Sequence, residues 1–220
     1  MNDTIPNYNR QTLTVKNDFV TVELLFERGE NLKETQSKFD KIIELNEIKN
    51  WTSSLELKIN FTDQPTKTCL ITGIDGGLYL HTADDKDNSY SVKLEDNFLI
   101  FSLGFTFFSF DTLSQEIIWK VRPDMAEVFE FYDLQDDFLL RGELEIHRID
   151  KNGNIKWSYG GRDIWVNIDG KTEVIIETEK IILTDFDSNE YIIDFEGKTI
   201  EDKPRQIKQY IKTSKWWKFW

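Results

Sequence analysis

The stretch Ile146-His-Arg-Ile-Asp150-Lys-Asn-Gly153-Asn-Ile155-Lys-Trp157 decides how this chain is read. A short β-like run meets an Asp and, three residues on, a Gly. A second run follows and carries a tryptophan. An Asp side chain at such a place accepts N–H groups from its own turn, and Gly takes the left-handed conformation that the turn needs. The stretch therefore predicts a hairpin with an aromatic side chain on its second arm. Upstream, Phe138-Leu-Leu-Arg141 supplies one more strand. Phe98 to Ser102, Phe107-Phe-Ser-Phe-Asp111 and Ile117-Ile-Trp119 repeat the order, as do Ile181 to Thr184, Tyr191-Ile-Ile-Asp194, Phe195-Glu-Gly197 and Lys198-Thr-Ile200. The three Asp residues fall 39 and 44 residues apart and the two tryptophans 38 apart. A period of about forty residues, built of strand, strand, turn and strand, marks units that bury their apolar faces only by stacking on one another.

With these residues in view, positions 96–200 resemble the Trp-bearing blades of quinoprotein-like (PQQ-like or WD-type) β-propellers, whose blade pattern has Asp, a Gly turn and Trp in this order. The first unit has Thr112-Leu-Ser-Gln115 in place of the Gly turn, and the third lacks the tryptophan. The resemblance implies a structural pattern and brings no cofactor, because that family's quinone-binding residues have no counterpart here. Three units are too few to close a ring of about four or more blades.

The rest of the chain fits a mainly β protein. It has only two alanines, Ala83 and Ala126, among 220 residues, with 14% aromatic side chains. That balance disfavours helices and suits pleated surfaces. Leu55, Leu57, Ile59 and Phe61 alternate with Glu56, Lys58 and Asn60, as in a strand with one wet face. One helix is expected, over about 31–49, from Asn31 and Glu34 as a capping box with Leu32, Phe39, Ile42 and Ile43 behind it. Asp75-Gly-Gly77 predicts a turn before a short strand, Leu78 to His81. The expected architecture is an incomplete or small β-propeller-like stack of antiparallel meanders with one N-terminal helix. Its parts are strands and the helix in 1–95, repeats in 96–202, and a basic aromatic tail in 203–220.

Catalytic chemistry is hard to find. His81 and His147 lack companions at metal-binding spacing, and Cys69 sits in the apolar run Thr68-Cys-Leu-Ile71 with no base beside it. One unpaired cysteine, with no apolar leader or spanning segment, predicts a reducing, cytoplasmic setting. Asp185, Asp187, Asn189 and Glu196 match positions one, three, five and twelve of a calcium loop, but Glu190 stands where such a loop needs Gly. A hairpin turn explains the same residues without a metal. No other cofactor is indicated, and an enzyme is not expected.

Charge is the strongest remaining feature. The chain carries 40 acidic and 27 basic side chains, a net of −13. Six of the basic residues (Lys203, Arg205, Lys208, Lys212, Lys215 and Lys218) follow Asp202, which leaves residues 1–202 with a net of −19. Such a body repels nucleic acid and steers basic partners toward it. Glu127, Glu130, Asp133, Asp136 and Asp137 concentrate that field, while Glu143 and Glu145 share one strand face. The tail ends Lys215-Trp-Trp-Lys-Phe-Trp220, suited to covering an apolar surface of its own domain, a partner or, less readily, a membrane interface. In composition and size the chain resembles the immunity proteins of bacterial toxin systems. That resemblance implies a basic protein partner such as a toxin domain. Candidate contacts are Asp133, Asp136, Asp137, Glu143, Glu145, Trp216, Trp217 and Trp220. The alternative is a ligand- or glycan-binding module, calcium-assisted through Asp185, Asp187, Asn189 and Glu196.

Overall fold

The computed structural model describes residues 9–28, 38–47, 53–77, 79–83 and 88–205. They form four sheets. The first has five strands: β1 (Arg10–Lys16), β2 (Val20–Arg28), β3 (Lys41–Glu44), β4 (Ser53–Phe61) and β5 (Lys67–Thr72), in the order β1-β2-β4-β5-β3. Three four-stranded antiparallel meanders follow in chain order. They are β6 (Val92–Glu95) to β9 (Glu116–Val121) with β7 (Phe98–Leu103) and β8 (Thr106–Asp111), then β10 (Val128–Leu134), β11 (Asp137–Gly142), β12 (Glu145–Ile149) and β13 (Ile155–Gly160). The last comprises β14 (Val174–Ile176), β15 (Ile181–Thr184), β16 (Glu190–Ile193) and β17 (Thr199–Lys203). The fold is mainly β, a propeller-like stack of meanders. Each repeat holds one strand more than the sequence suggests, because β6, β10 and β14 precede the recognisable hairpins.

The expected helix over 31–49 is not formed where the chain is described. Residues 31–37 and 48–49 lie outside the described residues, and Lys41–Glu44 is a strand paired parallel to β5. Ile43 and Leu45 turn inward while Ile42 stays 43% exposed, a period of two that also mimics helical spacing over so short a run. Two adjacent β-branched residues suit a strand better than a helix. Asp40 sets the start by accepting the Thr68 N–H at 2.7 Å and its hydroxyl at 2.9 Å. The strand expected over 78–81 is also absent among its described residues, 79–81. There the Leu80 N–H is held by Gln11 Oε1 and the His81 N–H by Ser91 Oγ, so side chains replace a ladder.

Three apolar clusters glue the sheets in sequence. The first sheet meets the second through Val22, Leu24, Phe26, Leu55, Leu57, Phe101, Phe108 and Phe110. The second meets the third through Ile100, Phe107, Val128, Phe131, Phe138 and Ile149. The third meets the fourth through Tyr132, Leu139, Ile146, Trp165, Leu183 and Tyr191. Each sheet thus buries the apolar residues of its alternating strands against its chain neighbour.

The Asp-Gly-Trp pattern has a mechanical role at these joints. Asp150 Oδ1 accepts the N–H groups of Asn152 and Asn154, and Asp194 Oδ1 those of Glu196 and Lys198. Gly153 and Gly197 then take φ of 82° and 76°. A Cβ on Gly153 would come within 2.8 Å of the Trp119 ring, and one on Gly197 equally close to Trp157. Trp119 of the second sheet and Trp157 of the third therefore lie on the bare turn of the sheet that follows, and Trp157 adds an N–H bond to the Phe195 carbonyl at 2.9 Å. In the second sheet Gln115 stands in the glycine's place at φ 55°. Among the described residues its turn is held to the first sheet by polar bonds, Gln115 Nε2 to the Thr68 carbonyl and Lys67 Nζ to that of Leu113. Gly104, at φ 59°, is pinned elsewhere, since a Cβ there would overlap the Asp75 carbonyl.

Removing the ring should expose both sheets at a joint. Trp157→Ala is expected to lower unfolding free energy by about 2 to 3 kcal/mol, and Trp157→Phe by about 1 kcal/mol for the lost hydrogen bond, read by urea titration. A second prediction concerns pH. His147 is fully buried on β12, its Nδ1 bonded to Ser158 Oγ, and burial pushes its pKa down to about 4 despite nearby Asp124. The unfolded chain binds the proton that the folded one refuses, so this contribution is complete above about pH 6.5 and is lost on acidification toward about 4. The slope is about 1.4 kcal/mol per pH unit. His147→Gln should flatten the stability profile between about pH 6.5 and 5, above the range where the carboxylates titrate.

Candidate functional site

The first strands of the third and fourth sheets, β10 and β14, run beside a groove. One end, a cavity of about 420 Å³, is lined by Gly77, Tyr79, His81, Glu127, Phe129, Glu130, Arg141, Val166 and Glu173. A second cavity of about 560 Å³ borders the following residues of the same two strands, Tyr132 and Asp133 on β10 and Val174 to Ile176 on β14. Glu130 and Tyr132 project from β10 on one face because alternate residues share a side.

At the centre lies a compact polar cluster. Glu130 Oε1 accepts from Arg141 Nε at 2.9 Å and from the Tyr132 hydroxyl at 2.6 Å, while its other oxygen is 3.8 Å from His81 Nε2. Burial pushes the Glu130 carboxyl up, but the Arg141 charge and these hydrogen bonds outweigh it and hold the group below its ordinary range. Burial together with the Glu130 charge raises the Tyr132 hydroxyl far above its usual pKa, so it stays a donor. Arg141 also donates to the Trp165 carbonyl at 2.6 Å and lies over the Phe129 ring at 4.8 Å. Its charge also interacts with Glu173. Glu127 and Glu173 differ. Each spends Oε1 on a backbone N–H, of Gly77 at 3.0 Å and of Asn167 at 2.9 Å. Neither enters an ion pair among the described residues. Two anchored carboxylates thus stand beside Tyr79, 61% exposed, and Val166, 39% exposed. The arrangement offers negative charge next to an apolar and aromatic wall.

The residues picked from the sequence are scattered by the fold. Asp133 is exposed on β10, held by Lys93 at 2.6 and 2.7 Å. Asp136 is exposed in the turn between β10 and β11. Asp137 is turned inward, 3% exposed, against Arg148 Nε at 2.5 Å and Lys156 Nζ at 2.7 Å. Burial raises its carboxyl, and hydrogen bonds from Lys156 and Arg148 more than reverse that. Glu143 and Glu145 lie at the other end of β11, about 20 Å away at strand rise. Glu143 there donates its N–H to the Glu127 carbonyl. Trp216, Trp217 and Trp220 lie outside the described residues. The groove instead joins Glu127 and Glu130, noticed for charge, with Glu173 from the next sheet, which no local pattern could connect to them.

The calcium spacing does not converge on one point. Asp185 is fully buried and saturated by the N–H and amide of Asn189 and the Tyr191 hydroxyl, all within 3.0 Å. Glu196 sits in the turn at the opposite end of β16, bonded to Arg148 at 3.1 Å. Asp185 and Asn189 build a hairpin turn together. Among the described residues no three Asp, Glu, His or Cys side chains gather as a metal site needs. Cys69 is buried, and burial pushes its thiol up to about 12, which leaves it inert.

No family model matches the chain, and no curated protein matches it. Among solved structures it is similar to BamB from Moraxella catarrhalis, at 11% identity and a TM-score of 0.45, over 90% of this chain and 53% of that one. It thus spans about half the length of that BamB chain. The computationally designed Ika8 protein is similar at 10% identity and a TM-score of 0.43, over 86% of this chain and 60% of that one. The designed Ika4 protein gives 12% identity and a TM-score of 0.42, over 59% of this chain and 81% of that one.

Proposed function

We propose that this chain is a non-catalytic acidic binding protein that neutralises a basic protein partner, and that the groove beside β10 and β14 receives a lysine or arginine side chain of that partner. The observation that carries the reading is the pair Glu127 and Glu173, each fixed by a backbone N–H, outside any ion pair among the described residues, beside Tyr79, Phe129 and Val166. A long cationic side chain has the matching form, an apolar stem that lies along the aromatic wall and a charged head that reaches the carboxylates. The net charge of −13 would draw such a partner in from a distance and speed association. An immunity protein of a bacterial toxin system, acting in the cytoplasm on a cationic toxin domain, is the finer form of this proposal. The inert thiol of Cys69 is at home there.

The test is affinity capture from the source cells at low salt, followed by kinetics with whatever stoichiometric protein is recovered. A basic partner is expected whose association rate falls steeply as salt rises. Glu127→Gln with Glu173→Gln should weaken it by about tenfold or more at an unchanged melting temperature. A partner that binds the double variant equally well, or associates at a rate indifferent to salt, would overturn the proposal. So would recovery of no basic protein, which would turn attention to glycans and other small ligands.

A further inference from the structure

Four turns meet at one end of the first two sheets: 17–19 between β1 and β2, 62–66 between β4 and β5, 96–97 between β6 and β7, and 112–115 between β8 and β9. Hydrogen bonds tie them into a closed circuit. The Thr62 N–H and hydroxyl both donate to the Phe19 carbonyl. Asn17 Nδ2 donates to the Asp96 carbonyl at 2.7 Å, and the Thr112 N–H and hydroxyl to the Asn97 carbonyl at 2.9 Å. Lys67, just past the second turn, reaches the Leu113 carbonyl at 2.6 Å and closes the circuit. Asn17 Oδ1 also accepts the N–H groups of Phe19 and Val20 at 3.0 Å, which fixes the first turn from within. On this frame apolar side chains are held outward. Phe19 is 66% exposed, Phe98 40% and Leu113 38%, and with half-buried Phe61 they border a cavity of about 650 Å³. Asp18, Asp63 and Asp96 stand around the same cavity, all exposed, and their carboxylates enter no ion pair among the described residues. No residue that borders it is basic, and nearby Lys67 is taken by the Leu113 carbonyl and by the Phe61 ring at 5.4 Å.

We propose that this end of the molecule is a second interaction surface, one that takes a basic segment of a protein partner with an aromatic or leucine side chain set between lysines or arginines. It shares no residue with the groove beside β10 and β14, so it does not rest on the reading of that groove. The two halves of the ligand follow from the two halves of the site. Exposed rings clustered on a fixed frame lose water contact only when another apolar group covers them, and such clusters mark contact surfaces. The carboxylates around them choose the neighbours of that apolar group, since a cation gains from each of the three and an anion is repelled by each. Charge alone would hold little, because an exposed pair in water is weak. The circuit of bonds matters for affinity, since turns already fixed lose little freedom when a ligand settles on them. Charge also decides against two other occupants. A second copy meeting this end face to face would set its three carboxylates against the same three, and an anionic lipid surface would be repelled in the same way.

The measurement is an NMR titration of the isotope-labelled full chain with a blocked hexapeptide of order Lys-Phe-Lys-Lys-Leu-Lys. Two control peptides replace either all its lysines by glutamate or its Phe and Leu by glycine. Saturable shifts are expected at the amides of Phe19, Asp63, Asn97 and Leu113 with the first peptide and with neither control. Phe19→Ser should weaken binding by about fivefold or more, and so should Asp18→Asn with Asp63→Asn. These variants keep the frame, because Phe19 joins the circuit through its carbonyl and both aspartates are exposed. An unchanged spectrum away from the four turns verifies it. Shifts absent from the turns, or produced there equally by either control, would overturn the proposal. So would binding that both variants leave intact. Shifts confined to Gly77, Glu127 and Glu173 would speak for the groove alone and would also overturn it.

Discussion

The architecture depends on one contact, an indole lying flat on a turn that has no side chain. An alternating strand always leaves one apolar face over, and a four-stranded meander cannot fold that face upon itself. The indole of Trp119 or Trp157 fixes how the next sheet approaches. Because the Gly turn beneath it would clash if it carried a Cβ, ring and turn specify each other. The Asp at the head of each turn then serves the joint at one remove, by holding the turn in the shape on which the ring can lie.

Polar groups tie the same joints where rings do not. Asp124, in the link from the second sheet to the third, accepts the N–H groups of Ala126, Leu144 and Glu145. Lys93 on β6 reaches Asp133 on β10, and Lys151 reaches back to Glu95. These bonds explain why so acidic a body holds together. Several of its carboxylates are spent on fastening sheets, and paired cations and hydrogen bonds keep Asp137 and Glu130 ionised there against the push of burial. Glu127 and Glu173 are not among these fasteners by charge; each is held instead by one backbone N–H at the groove.

Much of this was legible in the residues. The hairpins at Asp111, Asp150 and Asp194, the half-wet strand of Leu55 to Phe61 and the seating of the tryptophans follow from short-range patterns that the fold obeys. The helix over 31–49 failed because Ile42 and Ile43 fit two periods at once, and the choice was made by the free edge of β5, a tertiary fact. The strands β6, β10 and β14 were hidden because their turns carry no Asp-Gly mark. The groove was hidden with them. Its carboxylates come from the third sheet's side and the lead-in to the fourth, and acidic residues close in sequence, such as Asp136 in the turn and Asp137 at the start of β11, were sent to opposite environments.

The two ends of the stack are unlike. At the front, the first sheet grips the turn of the second through Gln115 and Lys67, side chains found in neither later turn, so that junction accepts only this sheet. Behind it, Trp119 over Gly153 and Trp157 over Gly197 are the same joint used twice. A lineage of such chains can therefore gain or shed units by duplication in its later part while the opening sheet stays single, and variation in length among them should collect behind residue 121 and not ahead of it.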